Sequence, residues 1–540
     1  MTSEAFTATA LFAVGLWVCV SVAKRTGDRT LVGIVTAAYL VRVVFAVIFY
    51  VVSFWALPVW RDVQLGQGFW AFASDAAYLH EYATGAVTAL VAGLDLPFVA
   101  GSPDYPLMVT LLYRFLGTHV LIAVTPNIML AGLSVVLAYL IACRIWSPMA
   151  GHVSAALVAF WPSSVLWSTQ LLKDTLAGFL ILLFVWTLTE LLRRWPKGVP
   201  TYLGWLNTGT LFAVAFVTTF AAVRFRYYVG VTLLGASLVV LVAWVVFGLS
   251  DRRAARAVWA VTLTAVLVCA VWLSTLVPVE VIGKPRDPQP GLRRLAEHMI
   301  SIGDLDGALV QVQASVRVRP DAPADADVRD RMAGRELSQL IAQYRSGVAG
   351  ATPSPAALPP LARSLEPPSD GSGFLQRLSQ LRSRFEADFH YARTVLGDSE
   401  DVPRDVGEVV RFAPRALFFT LLTPNPWISA RGVGSTGVFR DVAFLEVMLI
   451  LPLLCLAAQG FVNGCRHAWP MSVLLALFAF VMTVGIGYAV PNVGTLFRLR
   501  LAAIVPLCIL AGGSQLPAYV SGMRKVVGRS LDRFVLRRRK

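Results

Sequence analysis

Long apolar runs, each about the length of a membrane-crossing helix, are separated by short polar connections along most of the chain. The apolar residues are continuous rather than alternating, which indicates helices, and about 20 of them cross a hydrocarbon core about 30 Å thick. The pattern therefore predicts an all-α polytopic membrane protein with about 11 transmembrane helices. The predicted spans are 5–23, 31–57, 119–144, 148–168, 171–192, 204–222, 228–248, 257–278, 441–463, 470–490 and 498–518.

Basic residues follow every second predicted span, and this alternation sets the expected topology. Cytoplasmic connections are enriched in lysine and arginine, so the connections after the first, third, fifth, seventh, ninth and eleventh spans are expected inside. The N-terminus is then outside and the C-terminus cytoplasmic, in the inner (plasma) membrane. These connections carry Lys24, Arg25, Arg29, Arg144, Arg193, Arg194, Lys197, Arg252, Arg253, Arg256, Arg466 and the C-terminal tail.

The spans and their connections divide the chain into four parts. An N-terminal transmembrane module covers 1–278 and contains a large outer loop at 58–118. An outer insert at 279–415 has helix-like pieces around a segment rich in Pro, Ala, Ser and Gly, and is expected to be mainly helical and partly disordered. It acts either as a spacer or as an acceptor-binding cap. A C-terminal transmembrane module covers 416–520 and includes an interfacial segment expected at 410–430. A basic cytoplasmic tail covers 521–540.

The charge of the chain adds to this picture without changing its class. Only 15% of the 540 residues are charged, against about 25% in soluble domains. The formal net charge of +15 is explained by the topology signal and by attraction to anionic membrane lipids, and it indicates no nucleic-acid partner. The six cysteines and six histidines show no CxxC or HExxH spacing, so they predict neither a zinc site nor a disulfide framework.

Polar residues that could perform chemistry cluster on the predicted outer side. The stretch "FASDAAYLHEYA" at 72–83 brings Asp75, Tyr78 and His80 into the outer loop. Lys173 and Asp174 lie at the outer junction of the fourth and fifth spans, where ionisable groups are costly and tend to mark function. A pair that simply extends to the membrane surface is the alternative for these two residues.

Two pairs of arginines break the basic-inside pattern. Arg224 and Arg226 lie in "AAVRFRYYVG", and Arg498 and Arg500 lie at the outer mouth of the last span. An anionic partner at the outer leaflet would account for them, since the guanidinium fork suits phosphate. Binding to lipid headgroups in general is the competing interpretation.

The order of these motifs resembles the GT-C superfamily of membrane glycosyltransferases, and more narrowly the bacterial glycosyltransferase family 39 proteins, which are protein mannosyltransferase-like. The resemblance rests on an Asp followed three residues later by Tyr, then "YP" and an aliphatic helix that ends in Gly: Asp75, Tyr78, Tyr105, Pro106 and Gly117. It covers roughly 35–245 and 410–515. Many superfamily members carry two neighbouring acids in this loop, whereas Asp75 follows Ser74.

The resemblance implies transfer of a sugar from a polyprenyl-phosphate donor to an extracytoplasmic acceptor, which is a glycan, a lipid or a protein of the cell envelope. Asp75 would be the general base of an inverting displacement. Lys173 and the four arginines, with Tyr78 and His80, would bind the donor and its phosphate. Asp174 could support Asp75 around Mg²⁺ or Mn²⁺, which prefer oxygen ligands, or the reaction could need no metal.

Two other function classes fit part of the same pattern. A polysaccharide polymerase or ligase of the O-antigen type also has about a dozen spans and a large outer loop, in which His390 and nearby arginines would act. A transporter for lipid-linked sugars would use polar residues near the membrane midplane. Arg42, near the middle of the second span, would then pair with a carboxylate inside the bundle.

Overall fold

The computed structural model of the protein describes residues 3–93, 104–194, 202–246, 253–276, 406–423, 437–490 and 493–515. Helices fill almost all of these ranges, which confirms the prediction of an all-α polytopic membrane protein. The tail at 521–540, and the insert before residue 406, lie outside the described residues.

The described part of the N-terminal module contains, besides two three-residue 3₁₀ helices, eleven α-helices and one two-stranded antiparallel hairpin. Their bounds, with our labels, are α1 Ser3–Lys24, α2 Arg29–Phe54, β1 Gln64–Gly66, β2 Phe69–Trp70, α3 Ser74–Val91, α4 Asp104–Leu116, α5 Val120–Ile145, α6 Pro148–Phe160, α7 Pro162–Ser168, α8 Asp174–Arg194, α9 Tyr202–Phe225, α10 Tyr227–Val246 and α11 Arg253–Leu276. Helix α5 lies at the centre, since it contacts α1, α2, α6 and α8.

The described part of the C-terminal module adds four helices: α12 Val406–Leu422, α13 Gly437–Ala489, α14 Val493–Leu499 and α15 Leu501–Gly512. Helix α12 covers part of the expected interfacial segment at 410–430 and contains Pro414. Whether α12 lies along a membrane surface stays a prediction, and Trp427 is outside the described residues.

A helix is present at each of the predicted spans, although length and composition alone do not establish the number eleven. Within the described ranges, seven helices are long and apolar enough to cross a membrane, or nine if each of two bent pairs is one span. The bent pairs are α6 with α7, at 54°, and α14 with α15, at 44°. The count of eleven and the orientation of the termini stay predictions.

Helix α13 folds back on itself, as the two predicted spans at 441–463 and 470–490 require. Its 53 residues leave the helical conformation at Ala468 (φ −149°, ψ 60°), two residues before Pro470. Proline disfavours the helix around it, and this explains a break at this position. Gly464 lies so close to Ser472 that a Cβ on the glycine would clash with its hydroxyl. A straight helix would separate these residues by about 12 Å.

Helix α15 packs closely between α6 and α13 because small residues line both contacts. A Cβ on Gly460 would clash with the Leu510 carbonyl, and one on Gly512 would clash with Ser154. The Ser154 hydroxyl donates to the Ile509 carbonyl at 3.2 Å across this contact. Without a hydrophobic driving force between helices in lipid, such close packing and interhelical hydrogen bonds stabilise the bundle.

The hairpin that precedes α3 is fastened to the end of α2. Ser53 Oγ donates to the Phe69 carbonyl at 2.6 Å, and Trp70 Nε1 donates to the Phe49 carbonyl at 3.2 Å. The rings of Phe49 and Trp70 also meet edge to face, with centroids 5.3 Å apart. These contacts fix where α3 begins relative to the second span.

Arg42 is fully buried in α2 and stabilises the break between α6 and α7. Its guanidinium donates to the Ala159 carbonyl at 2.7 Å and to the hydroxyls of Ser164 and Ser168 at 3.0 and 3.1 Å. The last carbonyls of a helix have no partner within it, so a side chain must supply one in an apolar setting. The expected pairing of Arg42 with a carboxylate is wrong, since these partners are backbone and hydroxyl oxygens.

A second buried charge, Glu446 of α13, joins both bent helix pairs. Glu446 Oε1 lies 3.1 Å from Arg500 Nε, and Oε2 accepts from the Ser163 backbone N–H at 2.8 Å. Arg500, at the break between α14 and α15, also donates to the Thr423 carbonyl at 2.7 Å. Both charged side chains have no solvent exposure. The pair therefore connects α7, α12, α13 and α15.

We expect Glu446→Ala to lower the free energy of unfolding by about 3–5 kcal/mol, because it leaves the Arg500 guanidinium buried without its counter-charge. The measurement is unfolding in detergent micelles. The matched control is Arg144→Ala, whose 45% exposed side chain pairs with Glu190. Glu190 is buried but keeps Arg193 as a partner at 3.0 Å in this variant, so we expect a loss of only about 0–1 kcal/mol. Equal losses in the two variants would contradict the role given to Glu446.

Candidate functional site

Asp75 lies in the first turn of α3 and contacts the last span. Its carboxylate accepts from Arg498 Nη1 at 2.5 Å, while 55% of the side chain remains exposed. An acidic residue in a first helical turn is favoured by the helix dipole. Arg498 lowers the pKa of Asp75 below its ordinary value, through its charge first and its hydrogen bond second. Asp75 is therefore ionised at neutral pH.

Asp174 lies in the first turn of α8 and approaches the same arginine. Asp174 Oδ2 is 3.4 Å from Arg498 Nε, and Oδ1 accepts from Arg226. The Asp174 side chain is only 7% exposed. Arg498 thus lies between two carboxylates that are far apart in the sequence. We call Asp75, Lys173, Asp174, Arg226 and Arg498 the Arg498 cluster.

Lys173 completes the Arg498 cluster and leaves it with an excess of positive charge. Burial, and then the charge of Arg226, lower the pKa of Lys173 to about 8, while Asp174 and Asp75 oppose the shift. Three basic side chains therefore face two carboxylates. Such a cluster favours an anionic ligand, whose charge would compensate the unpaired cation.

Arg224 contacts a different acid from its neighbour Arg226. Arg224 Nη2 donates to Asp104 Oδ1 at 2.8 Å, and Nη1 donates to the Ser274 carbonyl at 3.3 Å. Asp104 lies in the first turn of α4, directly before the "YP" pair. The two arginines thus hold acids that precede two helices, and Arg224 ties α4 to α9 and α11.

Arg500 also differs from the residue two positions before it. Its guanidinium is bound to Glu446 and to the carbonyl of Thr423, inside the bundle. Its ring neighbour is Phe497, whose centroid is 4.7 Å away. Of the four predicted arginines, Arg226 and Arg498 therefore meet in the cluster, whereas Arg224 and Arg500 contact other partners.

Tyr78 and His80 follow Asp75 on α3 but differ in surroundings. Burial raises the pKa of the half-buried Tyr78. His80 Nδ1 lies 2.7 Å from the hydroxyl of Tyr113, and its ring packs 5.2 Å from that of Phe69. These contacts place His80 between α3, α4 and the hairpin. His390 lies outside the described residues.

Sequence reasoning missed two polar residues: Asp104, which pairs with Arg224, and Asn127, which holds the turn before Lys173. Asp104 adjoins the recognised "YP" pair, and its place just before a short helix was the available signal. Asn127 lies inside the run "LIAVTPNIML", where a polar residue beside a proline interrupts an apolar span. Its amide nitrogen donates to the carbonyls of Gln170 and Leu172, just before Lys173.

Comparisons with known proteins add two solved structures. No protein-family model matches the chain, and no curated protein matches it. The archaeal oligosaccharyltransferase AglB from Archaeoglobus fulgidus, in complex with an inhibitory peptide and a dolichol-phosphate, is 13% identical with a TM-score of 0.46 over 93% of this chain. An Archaeoglobus fulgidus oligosaccharyltransferase in the apo form is 13% identical with a TM-score of 0.36 over 86%. The chain spans 51% and 56% of their respective lengths.

The Arg498 cluster does not fit a divalent cation held by Asp75 and Asp174. Arg498 already pairs with both carboxylates, and Arg226 pairs with the second. A hard cation needs several oxygen ligands, and the described residues contain no group of three or more His, Cys, Asp or Glu side chains placed to hold one. The excess positive charge of the cluster would also repel such an ion.

We therefore expect no Mn²⁺ binding that depends on Asp75. The detergent-solubilised protein and Asp75→Asn would be titrated with Mn²⁺ and followed by electron paramagnetic resonance. The two proteins should give the same curve, because Arg498 neutralises the carboxylate. A Mn²⁺ signal that disappears in Asp75→Asn would restore the metal to this site.

Proposed function

We propose that the protein is a membrane glycosyltransferase of the GT-C superfamily that moves a sugar from a polyprenyl-phosphate donor to an extracytoplasmic acceptor. The observation that carries this proposal is the convergence of Asp75 and Asp174 on Arg498. Asp75 and Asp174 lie in the first turns of α3 and α8, and Arg498 lies in the last turn of α14, beside the bend of the last bent pair. A paired carboxylate at the edge of a basic cluster suits displacement of an anionic leaving group.

The cations of the cluster would bind the donor phosphate. Arg226 and Arg498 present guanidinium forks, which match phosphate oxygens in pairs, and Lys173 supplies a point charge. Apolar helix surfaces are exposed around the bundle, as on α10 with Val239 at 56% and Val242 at 54%. The lipid tail of the donor would lie in the bilayer beside such surfaces while its phosphate meets the cluster.

The reaction is a single displacement at the anomeric carbon. The acceptor hydroxyl oxygen bonds to that carbon from the face opposite the phosphate, and its proton passes to Asp75. The bond between the anomeric carbon and the phosphate oxygen breaks, and the lipid phosphate leaves with the electron pair. One carboxylate suffices for this step, and the anomeric configuration inverts.

Arg498 links donor binding to the basicity of Asp75. While paired with Arg498, Asp75 has a lowered pKa and is a poor base. A phosphate that takes over the guanidinium of Arg498 would remove this stabilisation. The pKa of Asp75 would then rise towards its ordinary value, so the carboxylate would gain basicity when the donor is in place.

We expect Asp75→Asn to remain folded and to lose transfer, because an amide cannot accept the acceptor proton. The assay uses the purified protein with a panel of polyprenyl-phosphate and polyprenyl-diphosphate sugars and measures the released lipid phosphate or lipid diphosphate by mass spectrometry. Asp104→Asn is the matched control, since Asp104 contacts Arg224 rather than the cluster. Full activity of Asp75→Asn would refute the assigned role.

The donor panel also distinguishes the alternative functions. Release from an oligosaccharide-diphosphate would favour a polymerase, and uptake into vesicles without a covalent product would favour a transporter.

Arg226→Ala should raise the donor KM about tenfold or more, because a hydrogen bond to a charged group contributes about 1.5–3 kcal/mol. The comparison variant is Arg61→Ala, which removes an exposed arginine of the same outer region outside the cluster. Steady-state kinetics with varied donor distinguish the two. Equal increases in KM would show that the arginines act together on lipid headgroups rather than on one phosphate.

A further inference from the structure

One buried amide, that of Asn127, holds the turn that carries Lys173. Asn127 lies in α5 with 1% exposure. Its Nδ2 donates to the Gln170 carbonyl at 2.8 Å and to the Leu172 carbonyl at 2.9 Å. Since carbonyl oxygens only accept, both hydrogens of the amide are committed to this turn.

The other end of the amide meets α4. The hydroxyl of Tyr105, which is buried in the first turn of α4, lies beside the amide of Asn127, 3.3 Å from Nδ2 and 3.5 Å from Oδ1, to which it can donate. Asn127 therefore links three segments of the chain: α4, α5 and the turn before α8. Tyr105 acts as the support of the amide.

The first half of the turn at 169–173 is also held by α7, because the N–H groups of Thr169 and Gln170 donate to the carbonyls of Leu166 and Trp167. The second half, which leads into Lys173, has fewer bonds. Leu172 N–H donates to the Gln170 carbonyl at 2.9 Å, and the next helical bond runs from Ala177 N–H to the Lys173 carbonyl at 3.1 Å. Gln170 and Leu172 are 4% and 2% exposed, so water does not replace the amide there. The direction in which α8 leaves the turn depends on these bonds.

We propose that Asn127, supported by Tyr105, is a positioning residue that sets where Lys173 and Asp174 stand in the Arg498 cluster. Its effect on donor binding rests on the proposed function, whereas its effect on the surroundings of Lys173 does not. Asn127 touches neither donor nor acceptor in this proposal and acts only through the turn.

The first test measures the surroundings of Lys173 directly. The rate of acetylation of Lys173 is followed against pH by mass spectrometry in the full-length protein. The charged groups around this amine are Arg226, Asp174, Asp75 and Arg498. The acetylation rate should reach half of its maximum near pH 8, the pKa of Lys173. In Asn127→Leu we expect the midpoint to move up by about one pH unit, towards the ordinary lysine value.

Two further variants keep this test decisive. Thr125→Val is the matched control, because the buried Thr125 hydroxyl donates to the Leu121 carbonyl within α5 and bonds no other part of the chain that the structure describes. It should leave the midpoint unchanged. Tyr105→Phe removes only the support of the amide and should give a smaller shift in the same direction, even if Asn127→Leu does not fold. An unchanged midpoint in Tyr105→Phe and in any folded Asn127→Leu would overturn the proposal.

The second test separates positioning from a general structural role. We expect Asn127→Leu, or Tyr105→Phe to a lesser extent, to raise the donor KM about fivefold while the acceptor KM changes less than about twofold. A loss of kcat alone, with the donor KM unchanged, would mean only a smaller active fraction and would overturn the role in donor binding. If the Lys173 midpoint shifts but the wild-type protein releases no lipid phosphate from any donor, the proposed function fails and the positioning role stands.

Discussion

The architecture depends on hydrogen bonds to the backbone groups at two helix breaks. Without these bonds, the N–H and carbonyl groups at the breaks would have no partner in an apolar interior. Within a membrane, each unsatisfied backbone group costs several kcal/mol. Arg42 supplies donors to the end of α6, and the Glu446–Arg500 pair supplies a partner to the start of α7 and to the Thr423 carbonyl. These buried charges hold the two breaks at fixed places.

The same arrangement explains why two arginines two residues apart have different partners. Helical residues are about 100° apart around the axis, so Arg498 and Arg500 leave nearly opposite sides of the last bent pair. Because Glu446 captures Arg500 inside the bundle, Arg498 is directed to Asp75 and Asp174. A buried salt bridge is weak evidence for stability in itself. Here it fixes the rotation of the segment that completes the site.

The local sequence pattern was enough to predict the helices and the region of the candidate site. It was not enough to predict which partner each charged side chain contacts. Apolar length gave the spans, and charges that break the alternation marked Asp174, Arg226 and Arg498. Nothing in the sequence distinguishes Arg498 from Arg500, because the choice depends on the helix break. Arg42 donates to carbonyls that have no partner within α6 because the helix ends there, and to nearby serine hydroxyls. The pattern of residue types along the chain does not predict such partners. Asn127 was missed for the same reason, since its role is defined by a turn more than 40 residues away.

The candidate base, Asp75, is paired with Arg498, the arginine that would bind the donor phosphate. Asp75 is therefore a weak base as long as no phosphate is bound. Arg498 is the main group that stabilises Asp75 as a carboxylate, ahead of Arg226 and Lys173, so the basicity of Asp75 and phosphate binding compete for one guanidinium. The second carboxylate, Asp174, pairs with Arg226 and lies 3.4 Å from Arg498 Nε. It therefore limits how far the guanidinium of Arg498 can move. The charge of Lys173, for which the described residues supply no ion pair, then provides the attraction that brings an anion to the cluster. Through Arg498, the basicity of Asp75 thereby depends on whether an anion is bound. Asp174, whose position is set by Asn127 in our proposal, determines how strongly anion binding and the basicity of Asp75 are coupled.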